Sequence, residues 1–240
     1  MFCRKLRKYI YSLENNFYAT QSLSHLVLKT YSLPFRLGLL HPKADLKTEH
    51  LISKSYKFVY ICIPKSASRS LIDYFINNSY LNFQPKIIEL QLDYLISKFD
   101  SNQYYFFTIV RNPIDRIISC YREKILHPGI IQQSRILDRY KDLYEKMPFY
   151  EFVDWLNSPS GSDEYADRHW ISQHQLITDS AGYNVCNYIG KLENLNFDLQ
   201  QICQELSIPQ FDLTDNRLNR SFGEVNITHD IKNKIYKRYK

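Results

Sequence analysis

A short segment rich in cations and hydroxyls is the part of the chain best suited to chemistry on an anion. It contains two cations and three hydroxyls in six residues, Lys65, Ser66, Ala67, Ser68, Arg69 and Ser70. The apolar run 58–63 before it is short and rich in β-branched and aromatic residues, which indicates a buried strand. Apolar residues then recur at helical spacing. A strand, a polar turn and a helix N-terminus together favour a bound phosphate or sulfate.

A simpler interpretation of the same segment stays open. Serine side chains also cap helix N-termini, so residues 65–70 could form an ordinary strand-to-helix connection. The turn has no glycine and its lysine comes first, whereas the phosphate loop of ATPases and GTPases has the pattern GxxxxGK[ST]. The sequence therefore disfavours ordinary ATPase or GTPase chemistry.

A second junction of the same kind follows the apolar run 104–110. Arg111 comes directly after this predicted strand, and Pro113 suits the first turn of a helix with one apolar face. Ligands of open α/β sheets bind at the carboxyl ends of strands, and the forked donors of Arg suit a phosphate. Ser119 lies about two turns into the predicted helix, so it could reach the same phosphate as Arg111.

Surface ion pairs are the alternative role for the arginines of this second segment. Asp115 and Glu123 are the nearby carboxylates that could pair with Arg111 or Arg116. For Arg116 the surface pair is the favoured interpretation. For Arg111 the position at the end of a strand favours ligand binding instead.

The segments IPKSASRSL and FFTIVRNPIDRIISCYREK resemble the two cofactor motifs of the carbohydrate sulfotransferases, the nearest branches being chondroitin 4-O-sulfotransferase and heparan sulfate 2-O-sulfotransferase. The resemblance implies that residues 65–70 hold the 5′-phosphosulfate of 3′-phosphoadenosine 5′-phosphosulfate (PAPS), and that Arg111 and Ser119 hold its 3′-phosphate. It covers roughly residues 56–240. It includes the segment 167–173, which resembles a His-Trp segment of the family, and a late loop near the nucleotide, which adds Arg220 to the cofactor-binding residues. Arg69 departs from the family, where Thr or Ser is usual.

The resemblance also suggests catalytic residues. Lys65 is the natural cation for the leaving phosphate oxygen. The heparan sulfate branch places a histidine between the two motifs, whereas residues 71–110 contain none here. We therefore name Glu89 and His169 as candidates for the base that accepts the proton of the acceptor hydroxyl, with His174 as a further candidate. A solvated carboxylate and a structural histidine are the simpler interpretations of Glu89 and His169.

The implied fold is an α/β domain of three layers with a parallel central sheet, similar to the sulfotransferase fold of the P-loop nucleoside-phosphate-hydrolase type. Both apolar runs are apolar on both faces, as parallel strands covered by helices are. Residues 1–50 are expected to form a basic lead-in, irregular or helical, and residues 51–240 the sulfotransferase domain. Residues 46–57 should lead into the first strand, and residues 87–99 should form a helix on which Glu89 and Asp93 share a face.

Composition bears on partners and metals. The formal net charge of +6 favours anionic partners without choosing among them. The five cysteines include no CxxC pair, so no metal site is expected, and sulfuryl transfer from PAPS requires none. Most aromatic residues fall in predicted strands or on apolar helix faces, and no RNA-recognition motif is present, so nucleic acid is not an expected partner.

The expected location follows from the hydropathy pattern. No apolar run is long enough to span a bilayer, and the basic residues 4–8 are not followed by the apolar stretch of a signal peptide. The carbohydrate sulfotransferases that this sequence resembles include Golgi members with a membrane anchor. The sequence here predicts a cytoplasmic or peripheral membrane protein, with membrane contact through the basic N-terminus.

The predicted function is sulfuryl transfer from PAPS to a hydroxyl of a glycan. The alternative is a non-catalytic relative that binds a nucleotide or another anion, and the missing histidine between the two motifs motivates that alternative.

Overall fold

The structure is a computed structural model that describes residue 33 and residues 43–76, 86–128, 136–140, 142–209 and 225–240. One sheet runs through the described part of the chain. Its strands are β1 (Thr48–Ser53), β2 (Phe58–Ile61), β3 (Lys86–Leu90), β4 (Tyr105–Val110) and β5 (Tyr188–Lys191). Their order across the sheet is β3-β1-β2-β4-β5.

Helices connect and cover these strands. They are α1 (Ser68–Ile76), α2 (Leu92–Lys98), α3 (Pro113–Tyr121), α4 (Phe149–Leu156), α5 (Leu195–Glu205) and α6 (His229–Arg238). The side chain of Asn112 caps α3 by accepting the Ile114 N–H at 2.9 Å, with Pro113 in the first turn as predicted. A π-helical turn, Arg122–Leu126, follows α3 directly.

The sheet is mixed, so the predicted parallel sheet is wrong in part. The strands β2, β4 and β5 are parallel, whereas β1 is antiparallel to both β2 and β3. Residues 46–57, expected only to lead into the first strand, contain β1 itself. A tight turn at residues 54–57 joins β1 to β2, and so short a connection allows only an antiparallel pair.

The predicted helix over residues 87–99 is wrong in its first half. Residues 86–90 form the edge strand β3, and Gln91 is extended (φ −78°, ψ 149°) before α2 begins. The segment KIIEL fits both helical and strand spacing, and pairing with β1 decides between them. Glu89 and Asp93 therefore do not share a helix face.

Helices pack against both faces of the sheet, which gives three layers and confirms the predicted α/β class. Tyr60 and Phe107 face α1 and α5, with their rings stacked at a centroid distance of 5.2 Å. Val59, Ile61 and Phe106 face α3, α4 and α6. Because successive side chains of a strand point to opposite faces, β2 and β4 are apolar throughout.

The structure bears on the predicted domain boundary and on a membrane span only for the residues that it describes. The predicted division between residues 50 and 51 lies within β1, and it stays a prediction because residues 1–32 and 34–42 are outside the described part. Across the described ranges, no helix combines the length and the apolar character needed to cross a bilayer.

Candidate functional site

The two predicted junctions lie side by side at one edge of the sheet. Because β2 and β4 are parallel neighbours, their carboxyl ends meet at the same edge, and the loops that follow them are adjacent. Nη1 of Arg111 donates a hydrogen bond to the carbonyl of Lys65 at 3.2 Å. The end of β5 reaches the same edge, where the Asn112 N–H donates to Oε1 of Glu193 at 2.6 Å.

The loop between β2 and α1 has an unusual backbone. Lys65 (φ 71°) and Ala67 (φ 58°) adopt the left-handed conformation, which costs a non-glycine residue on the order of 1 kcal/mol. Such alternation turns successive N–H groups toward one concave side, which is a favourable anion site. The loop leads into α1, whose first-turn N–H groups have no acceptor within the helix. The backbone thus presents donors and a positive helix end to one place.

The side chain of Lys65 forms an ion pair with Glu123, which stands in the π-helical turn after α3. The other carboxylate oxygen of Glu123 accepts a hydrogen bond from Nζ of Lys124 at 2.7 Å. Both lysine side chains are at most 10% exposed, so solvent shields these contacts only in part. Burial raises the pKa of Glu123, but the two ammonium groups outweigh it and bring the pKa to about 2.

Gln173 joins the two junctions, a role that the sequence did not reveal. Its Oε1 accepts from the Arg111 N–H at 3.0 Å and from the Ser66 hydroxyl at 3.3 Å, and its Nε2 donates to the Arg111 carbonyl at 2.8 Å. Ser66 is fully buried, so its hydroxyl points to Gln173 within the protein. The only sequence signal for Gln173 was its place in the segment 167–173, which resembles the family.

Arg116 does not pair on the surface, so the favoured sequence interpretation of this residue is wrong. It is 1% exposed, and burial lowers its pKa. Its guanidinium donates to three carbonyl groups, those of Pro64 at 3.1 Å, Ile171 at 2.7 Å and Arg168 at 3.0 Å. Arg116 therefore fixes the loop after β2 to the segment that carries His169 and Gln173.

His169, a predicted base, is partly exposed and pairs with the buried carboxylate of Asp167. Nδ1 of His169 and its backbone N–H both contact Oδ1 of Asp167, the latter at 3.0 Å. Burial lowers the pKa of His169 by more than the charge and hydrogen bond of Asp167 raise it, and the ammonium of Lys124 lowers it further, so the ring is neutral near pH 7. Burial also raises the pKa of Asp167, yet the attraction and hydrogen bonds of His169 bring it below its usual range. The neutral ring donates from Nδ1, which leaves Nε2 as a proton acceptor.

Glu89, the other predicted base, has a partner of its own. It lies on the edge strand β3, and its carboxylate forms an ion pair with Arg168, which also donates to the Lys47 carbonyl at 2.9 Å. Because β1 is antiparallel to both of its neighbours, β3 runs in the direction of β2, two strand spacings (about 10 Å) away. Glu89 thus stands at the same edge as the loop, held by Arg168.

The remaining predicted residues are distributed around this edge. Ser68 and Ser70 lie half-buried in the first turn of α1, whereas Arg69 is exposed. Ser119 is half-buried on α3. Arg220 lies in residues 210–224, outside the described part, so its role stays a prediction. The residues that the structure describes include no group of three His, Cys, Asp or Glu side chains placed to hold a metal ion.

Comparison with known proteins finds a family model and two similar proteins that match this chain. The model of the "Sulfotransferase family" matches residues 48–240. Carbohydrate sulfotransferase 10 of Xenopus laevis is 30% identical over 129 residues, which cover 45% of this chain and 34% of that protein. Carbohydrate sulfotransferase 14 of Mus musculus is 25% identical over 185 residues, which cover 66% of this chain and 46% of that protein. No solved structure matches the chain.

These matches correct the predicted location. The chain spans between a third and a half of the length of the two relatives. Both are carbohydrate sulfotransferases, a class for which the sequence resemblance implies Golgi members with a membrane anchor. The predicted cytoplasmic or peripheral membrane location is therefore wrong.

Proposed function

The chain belongs to the sulfotransferase family, and on that premise we propose that it transfers a sulfuryl group from PAPS to a hydroxyl of a carbohydrate. The names of the two similar proteins support a glycan as the acceptor. The single observation that carries the proposal is the junction of the two anion-binding loops, where Arg111 contacts the Lys65 carbonyl and Gln173 contacts both loops.

The residues present at the loop fit the 5′ end of PAPS. The left-handed conformations of Lys65 and Ala67 direct backbone N–H groups to one side, and the N-terminus of α1 adds its positive end. Ser68 and Ser70 provide hydroxyls in the first turn of α1. Such a set of donors suits the oxygens of a phosphosulfate better than it suits a neutral ligand.

Arg111 fits the other phosphate of the donor. Its guanidinium is half-buried beside the loop, and burial lowers its pKa, which reflects the cost of a charge that few solvent molecules reach. A dianionic 3′-phosphate would offset that cost through charge-assisted hydrogen bonds. Ser119, half-buried on α3, and Arg220 are the further residues assigned to this end of the nucleotide.

The bound donor supplies the sulfuryl group: a bond forms between its sulfur and the acceptor oxygen while the bond from sulfur to the 5′-phosphate oxygen breaks. Lys65 stabilises the negative charge on the leaving phosphate oxygen, as a cation at such a position does in phosphoryl transfer. His169 takes the proton of the acceptor hydroxyl at Nε2, because Asp167 holds Nδ1 and so fixes the ring. Glu89 serves less well as a base, because Arg168 already holds its carboxylate.

Calorimetric titration with 3′-phosphoadenosine 5′-phosphate (PAP), the product nucleotide, tests the donor site. We expect PAP to bind more tightly than AMP or ATP, because only PAP carries the 3′-phosphate. Arg111→Ala and Lys65→Ala should each weaken PAP binding by roughly 10- to 100-fold, the size of a charge-assisted hydrogen bond.

Two controls make this titration decisive. Lys146→Ala removes a lysine that is 70% exposed and should leave binding unchanged. Thermal unfolding of each variant separates loss of binding from loss of the fold. Equal binding of PAP, AMP and ATP would contradict a sulfotransferase site and would favour a general anion-binding protein.

A further inference from the structure

The ion pair between Lys65 and Glu123 occupies the cation that the proposed reaction needs. Lys65 has a left-handed backbone conformation, and its side chain is 10% exposed against the carboxylate of Glu123. The same ammonium is the one assigned to the leaving phosphate oxygen. A carboxylate of the chain itself therefore neutralises Lys65 in this structure.

Glu123 is held in place from its other side. Nζ of Lys124 donates to Oε1 of Glu123 at 2.7 Å, and the Lys124 side chain is almost completely buried. Because Lys124 also holds the carboxylate, Glu123 keeps one charged partner when Lys65 turns toward the backbone N–H groups of the loop. The ammonium of Lys65 can then pair either with the Glu123 carboxylate or with a bound anion.

The local backbone also marks Glu123 as exceptional. It lies in the π-helical turn Arg122–Leu126, and such turns occur mostly as single insertions in helices, frequently at functional sites. A π-helical turn closes its hydrogen bonds over five residues instead of four, so it changes the angular spacing of side chains around the helix axis. A regular continuation of α3 would direct this side chain elsewhere.

We propose that Glu123 competes with the nucleotide for Lys65, so that donor binding breaks the Lys65–Glu123 pair and re-formation of the pair promotes release of the product nucleotide. The inference rests on the proposed function, because it takes PAPS as the competing anion. Glu123 is in this sense a positioning residue that acts through Lys65.

Calorimetry with PAP on the wild type and on Glu123→Gln tests the competition. The variant keeps the size of the side chain and removes its charge, so we expect PAP to bind about tenfold more tightly. Glu123→Gln also removes the electrostatic repulsion between this carboxylate and the nucleotide, and that loss tightens binding even without competition for Lys65. The same substitution made in Lys65→Ala separates the two effects: competition predicts a change of less than about twofold there, whereas through-space repulsion predicts an undiminished change.

The reactivity of the Lys65 amine gives a second measurement that needs no nucleotide. We expect a neutral acylating reagent, followed by peptide mass spectrometry, to modify Lys65 several-fold faster in Glu123→Gln than in the wild type. Glu145→Gln is the matched control, because it removes an exposed carboxylate paired with Lys146 and leaves Lys65 untouched.

The outcomes distinguish this inference from the proposed function. Equal or weaker PAP binding by Glu123→Gln, or an unchanged rate of Lys65 modification, would overturn the inference and leave the sulfotransferase proposal intact. Failure of both proteins to bind PAP would overturn both.

Discussion

Buried and half-buried charges determine the behaviour of the single residues at this site. Lys65 is neutralised by Glu123, His169 is held by Asp167, and Arg116 is surrounded by carbonyl oxygens. Each of these side chains has lost much of its contact with water, so its neighbours decide its charge and direction. The pair of His169 and Asp167 makes the most direct prediction, because its protonation state can be titrated.

We expect sulfotransfer to depend on the neutral form of His169. Burial lowers the pKa of this ring below its ordinary value of about 6.5, so the base is lost only as the pH falls below that value. In the wild type, kcat/KM should rise with pH and level off at or below about pH 6.5. In His169→Asn this limb should disappear and kcat should fall by roughly 10²- to 10⁴-fold.

His174, the further candidate base named from the sequence, is exposed and lies five residues along the same segment, so we expect no role as the base and use it as the matched control. His174→Asn should keep the pH profile and rate of the wild type. PAP binding by His169→Asn should stay within about twofold of the wild type if the ring acts on the acceptor side. An unchanged profile in His169→Asn would rule out this residue as the base.

At the scale of elements, α3 organises the site. Arg111 precedes the helix, Arg116 projects from its buried side, and Glu123 stands in the π-helical turn after it. The guanidinium of Arg116 is the contact that joins α3 to the loop after β2 and to the segment with His169. One helix thereby sets the relative position of the two loops that we propose to bind the phosphates and of the predicted base.

Arg116→Met should destabilise the protein by about 3 kcal/mol. Methionine fills a similar volume, but three buried carbonyl groups lose their donor, and such groups are costly to leave unpaired. Urea unfolding measures the change. Arg69→Met, which replaces an exposed arginine of α1, should change stability by less than about 0.5 kcal/mol. Equal stability of the two variants would contradict the role of Arg116.

At the scale of the whole molecule, the C-terminal helix α6 secures the segment that crosses the site. Arg238 donates to the Leu156 carbonyl at 3.0 Å, to the Gly161 carbonyl at 3.1 Å and to Asp163 at 2.5 Å. The Tyr239 hydroxyl donates to the Trp170 carbonyl at 2.6 Å. The last turn of the described chain thus supports residues 156–170, which lead directly to His169 and Gln173.

Arg238→Met should therefore lower stability at pH 7 by about 2 kcal/mol, since it removes a half-buried charge pair and two hydrogen bonds to backbone carbonyls. Lys234→Met is the control on the same helix: it removes only more exposed pairs, with Asp154 and Asp230, and should lower stability clearly less than Arg238→Met does. Urea unfolding of both variants gives the comparison. A loss no larger than that of the control would contradict the supporting role of α6.

The same contact makes stability depend on acid pH. Burial raises the pKa of Asp163, but the bonds from Arg238 and Ser172 bring it below its ordinary value. A lowered folded-state pKa stabilises the protein above about pH 4, and that contribution is lost as the pH falls through the folded-state value. The difference between wild type and Arg238→Met should accordingly shrink below about pH 4 in unfolding curves measured at each pH.

The sequence by itself determined what depends on neighbouring residues. Two apolar runs followed by polar turns gave β2 and β4 as buried strands, and helical spacing with a proline in the first turn gave α3. The order of the two basic segments indicated the family, which the comparison confirmed over residues 48–240. Propensity, periodicity and capping act over a few residues, so they can be recognised without the fold.

Only the tertiary structure decided what depends on residues far apart in the chain. The segment KIIEL forms an edge strand because it pairs with β1. Glu89 therefore lies at the sheet edge and not on the helix face that the sequence predicted. Arg116 became a buried residue because three carbonyls from two distant segments converge on it. Gln173 and Glu123 acquired their roles from contacts 62 and 58 residues away in sequence. Such contacts form only when the sheet brings the loop ends together, so no local pattern records them.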